Sequence, residues 1–77
     1  MTITLTKYQI LRNGSDGGHS YISSSIDHNG QQRNITILFA SKEDERKLTA
    51  EQIITVKGEL VDEGPQQSLM LLDSILV

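Results

Sequence analysis

Isoleucines alternate with small polar residues through residues 21–40, YISSSIDHNGQQRNITILFA, on both sides of an Asn29-Gly30 pair. Asn-Gly suits a type I′ turn, which needs positive φ at both central residues and joins two antiparallel strands tightly. Centring the turn there sets His28 opposite Gln31, Ile26 opposite Arg33, Ser24 opposite Ile35 and Ile22 opposite Ile37. One face then collects Ile22, Ile26, Ile35, Ile37 and Phe39. The other collects Tyr21, Ser23, Ser25, Asn34, Thr36 and Leu38. Turn and alternation are independent signals and they agree. A slip of one residue would expose the isoleucines.

The flanking segments carry the same signature less regularly. Residues 2–12, TITLTKYQILR, suit a strand. Ile3 and Leu5 share one parity, Tyr8 and Ile10 the other, and a bulge near Thr6-Lys7 would bring all four to one side. NGSDGG at 13–18 is a loop. It lacks the Gly-Lys-Ser/Thr ending and following helix of a phosphate-cradling loop. Residues 41–47 predict a short helix, capped by Ser41, with acids in its first turn and Arg46 and Lys47 at its end. IITVKGELV at 53–61 is a further strand in which Gly58 marks a bend or close approach. DEGPQ is a turn, and 67–77 is the last strand, its alternation interrupted at Asp73-Ser74. The expected core is Ile3, Leu5, Ile22, Ile26, Ile35, Ile37, Phe39, Ile54, Val56, Leu60, Leu69, Leu71 and Ile75.

The order is three strands, a short helix, then two strands, in one domain spanning 1–77. This predicts a mainly β fold, a small five-stranded Greek-key barrel of the OB type with its helix between strands 3 and 4. Ile54-Thr55-Val56-Lys57-Gly58-Glu59-Leu60 matches an alternating apolar strand that ends near a glycine. With its flanks, this segment resembles the last two strands of bacterial OB-fold nucleic-acid-binding domains, the anticodon-binding-like group. The resemblance covers about thirty residues and departs from the family in having Glu51-Gln52 where Gly-Gln or Gly-Asp is common. It implies a ligand face on strands 2 and 3: Tyr21 for stacking, Ser23, Asn34 and Thr36 for hydrogen bonds, Arg33 and Lys57 for phosphate.

Charge pulls the other way. Seven Lys+Arg stand against ten Asp+Glu, a net charge of −3, with only two Tyr and one Phe. Affinity for nucleic acid usually rests on a basic surplus and several aromatics. Leu38, Ile53, Met70 and Leu72, with Leu76, fall on the parity opposite the core, which points instead to a protein interface or self-association. Single-stranded DNA or RNA, a second copy, or another protein are the partners in view.

No nucleophile–base pair or paired carboxylates stand out, so no enzyme activity is expected. There is no cysteine. His19, His28, Asp16 and Asp27 fall at opposite ends of one strand, so neither metal nor cofactor is expected. The first residues lack a charged region followed by an apolar run, and no segment reaches membrane-spanning length. A cytoplasmic location is the expectation.

Overall fold

The structure, a computed structural model, describes residues 1–13, 19–49 and 52–77. The glycine-rich turn expected at 14–18 and the Ala50-Glu51 junction lie outside the described residues.

The strand propensity of the chain is realised in one sheet. Strands β1 (Thr2–Leu5), β2 (Gln9–Asn13), β3 (His19–His28) and β4 (Gln31–Phe39) precede helix α1 (Lys42–Arg46), followed by β5 (Ile54–Val61) and β6 (Leu69–Leu76). Their order across the sheet is β1-β5-β6-β4-β3-β2. All neighbours are antiparallel except β4 and β6, which run parallel. The sheet curls into a half-barrel. Its two margins, β1 and β2, are successive stretches of chain joined through residues 6–8.

There are therefore six strands, where five are predicted from the sequence. The first predicted strand divides at residues 6–8. Its front arm pairs with β5, Leu5 opposite Ile54, and its rear arm with β3, Gln9 opposite Ser23. The division resets the parity. Leu5 joins the core, and Ile3, Tyr8 and Ile10 pack against it from both arms. The Tyr8 hydroxyl reaches the carbonyls of Thr49 and Gln52, fastening the division to the chain that leaves the helix.

The β3–β4 hairpin has the expected register, from His28↔Gln31 to Ile22↔Ile37. Asn29 (φ 54°) and Gly30 (φ 81°) supply the positive dihedrals of its turn. Ile22, Ile35 and Ile37 are fully buried with Val56, Leu69 and Leu71. Residues 69–76 form the last strand, as expected.

The core list gains Leu48, from the chain behind the helix, and is corrected in the last strand. Ile75 is 46% exposed, while Leu76 packs against the core. Asp73, at φ 51°, inserts an extra residue, and the ladder with β5 shifts register between Lys57 and Glu59. Leu69 and Leu71 face inward before the bulge, Ser74 and Leu76 after it.

Each end of the half-barrel is closed differently. At one end Ser41 caps α1, accepting the Asp44 N–H. Leu48 joins the core, the Glu45 carboxylate accepts the Ser20 N–H, and Asp44 accepts the Leu76 N–H. At the other end Arg33 binds the 62–68 loop. No described helix is long and apolar enough to cross a membrane.

Candidate functional site

Strand pairing assembles an outer face that no single strand contains. Ser23 pairs with Gln9 and with Thr36, Thr36 pairs with Met70, and Met70 with Val61. One row thus crosses five strands. Residues two positions along each strand share its face. On one side lie Tyr21, paired with Leu11, and Leu38 and Leu72. On the other lie Ser25 and Asn34, themselves a pair.

Two surfaces that are separate in the sequence are one in the fold. Tyr21, Ser23 and Thr36, expected on a nucleic-acid face that parity already shares with Leu38, are joined in the fold by Met70 and Leu72, expected with Leu38 at a protein interface. Only the parallel β4–β6 junction brings Thr36 to Met70. Tyr21, Ser23, Thr36, Leu38, Met70 and Leu72 are all half-buried, and Asn34 is exposed. Ile53 and Lys57 are remote from this row. Ile53 precedes β5 and is 69% exposed. Lys57 lies on β5, between Thr2 and Ile75.

The face is graded and uncharged along its middle. Leu11, Tyr21, Leu38 and Leu72 make its apolar end, bordered on β5 by Glu59 opposite Leu72, and hydroxyls and Met70 its centre. Beyond Asn34 a cleft of about 210 Å³ gathers four carboxamides, those of Gln32, Asn34, Gln66 and Gln67. Each carboxamide offers two donors and an acceptor.

Arg33, expected as a phosphate partner, is already engaged. Its guanidinium donates to both Asp62 carboxylate oxygens (3.1 and 3.4 Å) and to the carbonyls of Gly64 (2.8 Å) and Gln67 (2.9 Å). His28 Nε2 stands 3.9 Å from Asp62. The Arg33 hydrogen bonds, then the Gly64 N–H, hold the Asp62 carboxyl below its ordinary pKa. This cluster shapes the loop beside the carboxamide cleft. The sequence hints at it only through the acid–base pair Arg33 and Asp62, which lie far apart along the chain. Arg12 donates to Ser20 Oγ at 3.1 Å.

Among the described residues no three His, Asp or Glu side chains converge as metal ligands would. Comparison with family models, with characterised proteins and with solved structures finds no match to this chain.

Proposed function

We propose that this chain is a small barrel of the OB type that works as a protein-binding module through its outer face. The order of the strands supports the fold assignment. If β1 and β2 are counted as two arms of one bent strand, the order becomes 1-4-5-3-2-1, with parallel third and fifth strands and a helix between the third and fourth.

The observation that carries the function is the apolar platform from Leu11 and Tyr21 through Leu38 to Leu72, which meets a single acid, Glu59, at its β5 margin. Half-buried apolar side chains without basic neighbours suit a protein partner, whose interface centre is depleted in charge and rich in aromatic and Met side chains. A phosphate backbone would find few cations here, because Arg33 is bound to its own loop. Tyr21 beside Ser23 and Thr36 favours the rival, single-stranded nucleic acid held by stacking.

A pull-down from native cell extract should retain a partner on the wild-type protein and lose it on Leu38→Glu, with unchanged circular dichroism. Fluorescence anisotropy with labelled oligo-dT and oligo-U should stay flat at low salt. Salt-dependent oligonucleotide binding that disappears in Tyr21→Ala would transfer the face to nucleic acid.

A further inference from the structure

Two stretches of strand edge face each other with no described strand between them. β2 pairs with β3 only as far as Ser23, opposite Gln9. Beyond that point β3 has β4 on one side alone, and β1 has β5 alone. Between them lies a cleft of about 470 Å³ that runs along residues 3–7 and 24–27. Its floor carries the core-facing Ile3, Leu5 and Ile26.

Hydrogen-bond alternation fixes which main-chain groups point into this cleft. The Val77 N–H donates to the Thr55 carbonyl, so Thr55 is turned toward β6. The Gly58 N–H donates to the Met1 carbonyl, so Gly58 is turned toward β1. In an antiparallel ladder the direction alternates along the strand. Met1, Ile3 and Leu5 therefore bond β5, while Thr2 and Thr4 turn their N–H and C=O groups toward the seam. In β3 the two-residue turn makes His28 and Gln31 a bonded pair. Ile26 and Ser24 then bond β4, and Ser25 and Asp27 face the seam. A bridge spans the cleft, from Ser24 Oγ to the Lys7 carbonyl at 2.7 Å. It closes the end nearest β2.

We propose that this seam is a strand-acceptor groove that takes an extended peptide segment of a partner protein. Only an extended polypeptide offers donors and acceptors at the repeat of two facing strand edges, and sheet edges are joined in this way by added strands. At a strand rise of about 3.3 Å per residue, the 2–7 edge accommodates five or six residues. Alternate apolar side chains would meet the Ile3–Leu5–Ile26 floor. Lys7 marks the closed end and Asp27 the open one, so the fitting segment carries an acidic residue toward Lys7 and a basic residue toward Asp27. The groove is distinct from the outer face and does not depend on what binds there.

Amide hydrogen exchange by NMR tests the groove with the intact chain. The free protein should show fast exchange at Thr2, Thr4, Ser25 and Asp27 and slow exchange at Ile3, Leu5, Ser24 and Ile26. The hexapeptide Ac-Lys-Thr-Val-Thr-Val-Glu-NH2 is the probe. At about ten times its Kd it should slow the four fast amides about tenfold. The same peptide N-methylated at both valines should leave them fast. Slow exchange of all eight amides in the free protein at every concentration would overturn the proposal. So would protection that grows with protein concentration without peptide, which assigns the seam to a second copy. Equal protection by both peptides, or by neither at millimolar concentration, would also overturn it.

Discussion

Two hairpins of this sheet, β3–β4 and β5–β6, use glycine for opposite reasons. In β3–β4 the pairs run without interruption from Ile22↔Ile37 to His28↔Gln31, and the glycine sits in the turn. Gly30 has φ 81°, and a Cβ there would meet nothing within 4 Å. In β5–β6 the pairing jumps, and the glycine sits inside a strand. A Cβ on Gly58 would lie 2.5 Å from Ser74 Oγ, 2.8 Å from the Leu72 carbonyl and 2.9 Å from Leu71 Cγ. One glycine is there for its dihedral, the other for the space that its missing side chain leaves. The regular hairpin supplies a flat template. The irregular one supplies the bend that carries β5 round to β1.

Exchanging each glycine for alanine separates the two roles. Gly58→Ala drives a methyl into backbone and core together, and should cost about 3 kcal/mol in urea unfolding. Adding Ser74→Ala should restore little, because the Leu72 carbonyl remains in place. Full recovery in that double variant would show that the obstruction is one movable hydroxyl. Gly30→Ala should cost about 1 kcal/mol, the penalty of a left-handed residue with room for its side chain. Equal losses at the two sites would erase the contrast between dihedral and space.

The smallest effect belongs to the loop that joins β5 to β6. The Asp62 carboxyl is held below its ordinary value of 3.8, chiefly by the Arg33 hydrogen bonds. Its pairing therefore stabilises the fold above that value and is lost as pH falls through the lowered one. Carbon-13 NMR should find Asp62 titrating below 3.8, and moving back up in Arg33→Gln. An unshifted Asp62 in the wild type would show that the loop is shaped without the ion pair.

The same contrast governs what can be read from the sequence. The β3–β4 hairpin is legible because its turn residues and its alternation specify one register independently. Its outward residues, Tyr21, Ser23, Asn34 and Thr36, follow from parity alone. The last strand is less legible, because a single residue in a left-handed conformation, Asp73, reverses the parity behind it. The Asp73-Ser74 interruption is visible, but which of Ile75 and Leu76 turns inward depends on the pairing with β5. The first strand divides because its two arms find different neighbours, a tertiary outcome. The united outer face was hidden for a similar reason. Thr36 meets Met70 only across a parallel junction between strands separated by a helix and another strand. Arg33 is an exposed cation by its sequence context, and the distant loop that engages it decides otherwise.

The sheet order also implies an order in time. The β3–β4 pairs close across a two-residue turn, whereas the β1 margin joins residues as remote as Thr4 and Thr55, whose hydroxyls meet across 51 positions. Ordering so long an intervening segment is entropically slow. The central hairpin is therefore expected to form early and the opening residues to dock last. Until that final docking, the Ile54 and Val56 stretch waits with one flank bare.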